Sequence, residues 1–256
     1  MNRINKLFQE KQKDILNIYF TAGYPELDST VNIISSLEDS GVDMVEIGMP
    51  YSDPLADGPT IQKSATKAIQ NGMTMKILFE QIKKARKSVD IPIIYMGYYN
   101  QILQFGFDKF LKSCILAGID GLIVPDLPFR EYNLLYKEKL EEADLPVIFL
   151  ISPQTSENRI VEIDNDSKAF IYVVADNSIT GAKSGISNSQ IQYFKRINSM
   201  NLKNPYLAGF GISDRKSFEN VCQYMNGAII GSAFINHLSN DSSKKSIYEF
   251  CQQLIG

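Results

Sequence analysis

The stretch ILNIYFTAGYPELDSTVNIISSLEDSGVDMVEIGM, residues 15–49, contains a complete strand–helix–strand unit. Its two ends, 15–23 and 43–49, are short runs that are apolar almost throughout. That is the composition of strands buried on both faces, not of strands with one face in water. Between them LDSTVNIISSLEDSG, residues 27–41, is amphipathic and ends on Gly41, a residue suited to close a helix C-terminus. Two buried strands joined by a helix form a parallel pair with a right-handed crossover.

The unit recurs in both directions along the chain. Further strand-like runs lie at 91–97, 121–127, 145–152, 170–176, 205–211 and 227–234, which makes eight. Helical patterns separate them at 107–118, 132–144, 187–200 and 213–226, and a last one follows at 244–255. SDRKSFE and SNSQIQ begin with good N-cap residues. Two helical patterns, 60–72 and 75–89, fall between the second and third strands, and the first dozen residues form one more helix before the first strand. Eight such units predict an α/β fold, a (β/α)8 TIM barrel with an extra N-terminal helix and an extra helix between strands two and three. A doubly wound open sheet is the alternative, weakened because no GxGxxG follows the first strand. No Pro-, Gly- or Ser-rich linker divides the chain, which predicts one domain over 1–256.

Composition narrows the function. The chain has 256 residues, enough to bury a full core. Its 26 basic and 29 acidic side chains leave a net charge of −3, without the basic excess of a nucleic-acid binder. No apolar run approaches the roughly 18 residues needed to span a bilayer. The segment MNRINKLFQEKQKD lacks the apolar stretch of a signal peptide, and its acidic residues argue against a transit peptide. Cys114, Cys222 and Cys251 are too few and too scattered for a disulfide framework. A cytoplasmic enzyme without nucleic-acid or membrane partners is expected.

In a barrel the chemistry sits at the C-terminal ends of the strands. Glu46 lies inside an apolar strand and must be paired, neutral or retained for function. Apolar surroundings would raise its pKa towards neutrality, as a general acid/base requires. Strand position alone is equally compatible with a structural carboxylate. Asp57 follows in a loop dense in Pro, Gly and Asp, where ordinary turn chemistry is the competing explanation. No predicted strand carries a lysine, so a barrel-lining Schiff base is not expected. A metal-dependent aldolase wants several His or carboxylate ligands, whereas the single histidine, His237, is expected to be merely exposed. The segments 209–213 and 231–232 carry Gly and Ser after strands seven and eight, where barrels often bind phosphate. The polar, Gly-flanked segment 177–185 reads as a mobile lid.

The run VEIGMPYSDPLADGP, residues 45–59, resembles the signature of the tryptophan synthase alpha chain family. The resemblance extends to Thr21-Ala22-Gly23-Tyr24-Pro25, Tyr98-Tyr99-Asn100, Val124-Pro125-Asp126-Leu127-Pro128, Thr180-Gly181, Gly209-Phe210-Gly211-Ile212-Ser213 and Gly231-Ser232-Ala233. It implies retro-aldol cleavage of indole-3-glycerol phosphate to indole and glyceraldehyde 3-phosphate, with Glu46 and Asp57 in the catalytic positions. It also implies phosphate contacts at Gly181, Phe210, Gly211, Gly231 and Ser232, and an indole slot made by Tyr19, Met96, Ile123, Tyr172 and Phe210. Thr180 on the lid would meet Asp57. The partner implied is a beta chain carrying pyridoxal phosphate, in an alpha2-beta2 heterotetramer, docked on residues 50–59 and the region around Asn100. This chain itself would carry no cofactor and no metal. Another phosphate-binding barrel isomerase or synthase, or a mainly allosteric subunit, are the alternatives.

Overall fold

The computed structural model describes residues 1–54, 57–175, 187–209 and 211–256. The strands are β1 (Ile15–Thr21), β2 (Met44–Gly48), β3 (Ile93–Met96), β4 (Gly121–Ile123), β5 (Leu150–Ile151), β6 (Ile171–Val174), β7 (Tyr206–Gly209) and β8 (Gly227–Ile230). They form one sheet in the order β4-β3-β2-β1-β8-β7-β6-β5, and every paired register is parallel. The two ends meet. Leu122 bridges Val147, its N–H donates to the Pro146 carbonyl at 2.9 Å, and the Ile148 N–H donates back to the Leu122 carbonyl at 2.8 Å. The sheet is therefore curled shut, with helices outside it, as a (β/α)8 TIM barrel.

The extra helices stand where the sequence placed them: Arg3–Glu10 before β1, and both Pro59–Gln70 and Met75–Ala85 between β2 and β3. Four details differ from expectation, the first being the helix Glu157–Asp166 between β5 and β6, which the sequence pattern did not mark. A short helix, Tyr99–Phe105, precedes Phe107–Ala117, because Gln101 bonds back to the Tyr98 N–H at 3.1 Å and Gly106 breaks the run at φ +89°. The last strand stops at Ile230, and Ser232 already opens the helix Ser232–Asn240. Phe234, Ile235 and Leu238, buried at helical spacing, decide that change of period. His237 is consequently not a free surface side chain: its Nε2 meets the Ser246 carbonyl at 3.0 Å and its ring packs on Phe250.

Apolar side chains fill two layers, one between strands and helices and one inside the barrel. The inner layer includes Ile15, Met44, Ile94, Ile123, Phe170 and Leu207. Its N-terminal end is plugged by the first helix. Ile4 is fully buried, Phe8 packs on Phe170 at 5.8 Å, and Asn2 both caps the Ile4 N–H and donates to the Asp120 and Asp144 carbonyls. The opposite, C-terminal end of the strands is left for a site.

Candidate active site

Alternation along β1 and β2 sends Asn17, Tyr19, Glu46 and Gly48 towards the barrel axis, with Tyr19 and Glu46 directly paired in register. Glu46 is 1% exposed. Removal from water pushes its carboxyl up to about 8, and the Asp57 charge adds to the rise. One hydrogen bond opposes it, from the Asn17 side-chain amide to Oε2 at 3.3 Å. A carboxyl with that pKa is poised to exchange protons near neutral pH.

Asp57 is brought in by the chain that leaves β2. Gly58 and Pro59 open the helix Pro59–Gln70, and Gln62 ties the Asp57 carbonyl down at 2.8 Å. The Tyr98 hydroxyl donates to Asp57 Oδ2 at 3.0 Å. Burial pushes the Asp57 carboxyl above the ordinary range, while this bond pulls it back. The same region is laced to the β3 side by Tyr51, which packs on Tyr98 at 4.9 Å and accepts from Asn100, and by Gln101 donating to the Pro50 carbonyl. Two carboxyls thus share one site in different surroundings, one wholly buried and one hydrogen-bonded by a phenol, the arrangement that divides roles between paired acids.

Both face a cavity of about 440 Å3 at the C-terminal end of the strands. Tyr19, Met96 and Tyr172 line it on the carboxylate side, and Gly211, Gly231 and Ser232 also line it. Two tyrosines owe their positions to glycine: a Cβ at Gly48 would lie 2.1 Å from the Tyr19 hydroxyl, and one at Gly209 2.1 Å from the Tyr172 hydroxyl. Burial raises both phenols far above their ordinary value. Gly211 has φ +75°, a conformation that suits glycine and few others. Gly231 precedes Ser232–Asn240, whose ladder starts with the Ile235 N–H to the Gly231 carbonyl, so the N–H groups of the first turn have no helical acceptor. They form an anion-ready end. No lysine or arginine is among the described residues lining the cavity.

Of the residues singled out in the sequence, Tyr19, Glu46, Asp57, Met96, Tyr172, Gly211, Gly231 and Ser232 come together at this cavity. Ile123 is fully buried in the inner apolar layer and is not among the described lining residues. Thr180, Gly181 and Phe210 lie outside the described residues, as does the whole of the segment 177–185 expected to form a lid. Sequence reasoning missed Asn17, Tyr98, Ile61, Leu150 and Asn236. Asn17 carried a signal, a lone amide in an apolar strand two residues before Tyr19 and so on the same face; Ile61 and Leu150 carried none beyond ordinary hydrophobicity. Among the described residues, no group of three or more His, Cys, Asp or Glu side chains is placed to hold a metal ion.

A closed parallel barrel with two carboxyls, an apolar slot and a helix N-terminus at its C-terminal mouth is the arrangement of a barrel enzyme suited to general acid/base chemistry. The sequence model of the family described as "Tryptophan synthase alpha chain" matches residues 5–254. The alpha chain of Flavobacterium psychrophilum is 56% identical over 99% of this chain and 100% of its own length, and that of Bacteroides thetaiotaomicron 51% identical over 94% of each. Among solved structures, tryptophan synthase from M. tuberculosis in an aminoacrylate-bound form superposes with a TM-score of 0.86 at 27% identity, covering 99% of this chain and 98% of that one. The alpha chain from Legionella pneumophila gives 0.87 at 29% identity, covering 100% and 98%. The chain belongs to the tryptophan synthase alpha chain family.

Proposed function

We infer that this chain is the lyase subunit that splits indole-3-glycerol phosphate into indole and glyceraldehyde 3-phosphate in tryptophan biosynthesis. The observation that carries the chemistry is a fully buried Glu46 with its carboxyl near 8, facing the same cavity as Asp57. The scissile bond joins indole C3 to a hydroxyl-bearing carbon and is not activated. Protonation of C3 turns the ring into an electron sink, and removal of the side-chain hydroxyl proton then drives cleavage. Glu46 performs both transfers, which needs a group able to give and take a proton at the working pH. Asp57 accepts the indole N–H and stabilises the positive charge that develops on nitrogen. Tyr19, Met96 and Tyr172 flank the ring. The phosphate sits at the anion end, on the backbone of Gly211, Gly231 and the first turn after it, with the Ser232 hydroxyl as an added donor.

The family pairs with a beta chain. In our reading, residues 50–59 and the neighbourhood of Asn100 receive it, the assembly is an alpha2-beta2 heterotetramer in the cytoplasm, and pyridoxal phosphate belongs to the partner. The whole chain acts as one catalytic domain. Incubating the isolated chain with indole-3-glycerol phosphate and measuring released indole tests the activity. Failure to release indole both alone and with a beta chain would refute it.

A further inference from the structure

Asn17, a polar residue in the middle of β1, touches the acid/base carboxyl. It is completely buried on β1, in register with Met44 and Ile229, in surroundings that are otherwise apolar. A buried amide there is costly unless both ends are bonded. Only one end is. The Nδ2 group donates to Glu46 Oε2 at 3.3 Å, while Oδ1 has no hydrogen-bond partner. Buried side-chain acceptors without partners are uncommon, and each asks for a reason.

The reason lies in what an amide offers on its two sides. Its NH2 can only donate, so it complements a carboxylate; its oxygen can only accept, so it complements a carboxylic acid O–H. We propose that Asn17 is a positioning residue that serves Glu46 in both protonation states, donating through Nδ2 when Glu46 is ionised and, after a half-turn of the amide, accepting through Oδ1 when Glu46 is protonated. The orphaned oxygen is then the second contact of a two-position partner. Because Glu46 must pass through both states in each turnover, a partner of fixed polarity would hold the carboxyl in one of them. No bond is made or broken in this role beyond the proton that Glu46 itself exchanges. The inference rests on the assignment of Glu46 as the acid/base.

Other groups face Glu46 as well. Asp57 acts from the loop after β2, Tyr19 from β1 and Tyr172 from β6, and Tyr98 holds Asp57. Both inward phenols are shifted upward and stay neutral through the working range. Asp57 titrates, so the readout must belong to Glu46 alone.

The test compares wild type with Asn17→Leu, which keeps the volume and removes both contacts, and Asn17→Asp, which keeps the shape and the acceptor but adds a negative charge. Glutamate labelled with 13C at the side-chain carboxyl, with Glu46→Gln identifying the resonance, reports the Glu46 midpoint directly by NMR. Asn17→Leu loses both the donor that favours the carboxylate and the acceptor that favours the acid, so the two effects oppose and the midpoint should move by less than about half a pH unit. Asn17→Asp should raise it, since two carboxyls would then share one proton. The limb of the cleavage pH profile owed to Glu46 should move by the same amounts, with kcat falling more than KM rises. A midpoint raised by about a unit or more in Asn17→Leu marks a donor of fixed polarity, and an unmoved midpoint in Asn17→Asp marks no contact with Glu46; either result, or activity lost only in step with Tm, overturns the proposal. If Asn17→Leu fails to fold, Asn17→Asp alone decides it, by whether its midpoint moves. Failure of the wild type itself to cleave the substrate would instead count against the Glu46 assignment.

Discussion

Replacing Glu46 by glutamine isolates what the barrel does to one carboxyl. The change keeps the size and removes the titration. In the folded chain burial raises this group from an ordinary 4.5 to about 8. The folded state therefore holds a proton that the unfolded state releases across that window. Below pH 4.5 both states are protonated and Glu46 contributes no pH dependence. As pH rises towards 8, the unfolded carboxyl gains hydration that the folded one is denied, and the wild type loses stability. The full difference corresponds to on the order of 5 kcal/mol. Glu46→Gln escapes this loss, so its stability advantage over wild type should grow steadily from pH 5 to pH 8.5. Urea unfolding of both proteins at half-unit pH steps measures it. Asp57 also titrates, but it is present in both chains and largely cancels. Turnover should fall by ~10²–10⁴ in the same variant, the usual worth of a general acid/base. Parallel stability profiles would show that Glu46 is ionised and compensated in the folded chain, and the argument from burial would fail.

Three further outcomes follow from the geometry. Tyr98→Phe removes the phenol that donates to Asp57 and lowers its pKa, so the limb of the pH profile owed to Asp57 should move to higher pH; a limb that does not move would separate the two residues. Gly48→Ala places a Cβ 2.1 Å from the Tyr19 hydroxyl, so the ring must swing into the cavity; stability should drop by about 1–3 kcal/mol and binding of an indole-containing substrate analogue should weaken at least tenfold, whereas unchanged binding would mean the ring yields elsewhere. Gly211→Val forces a branched residue into φ +75° at the anion end, so glycerol phosphate affinity should fall sharply and indole affinity much less; equal losses measured by calorimetry would make Gly211 a folding position only.

Much of the molecule was written in local pattern. Continuous apolar runs such as 170–176, too short for helices, read as strands covered on both faces, and eight of them separated by amphipathic stretches favoured a closed parallel barrel over an open sheet. Glu46 stood out because a carboxylate in such a run is expensive, and position on the second strand already put it at the barrel's working end. Local pattern failed where two periods overlap. Residues 227–234 read as one apolar run, yet the chain turns at Gly231 and Phe234, Ile235 and Leu238 bury a helical face.

The distinction between a structural and a catalytic carboxyl depended on long-range contacts. Glu46 acquires its pKa from burial among strands far apart in sequence and from an Asp57 that arrives by a separate loop. Asp57 owes its setting to Tyr98, 41 positions further on, and Asn17 reaches Glu46 across 29 positions. Desolvation and hydrogen bonding act through space, and they exist only once the barrel has closed. Residue types and spacing carried the fold and marked Glu46 as a costly carboxylate, and the resemblance of residues 45–59 to the family signature paired it with Asp57; the environment that makes one of them an acid/base near neutrality belongs to the assembled barrel alone.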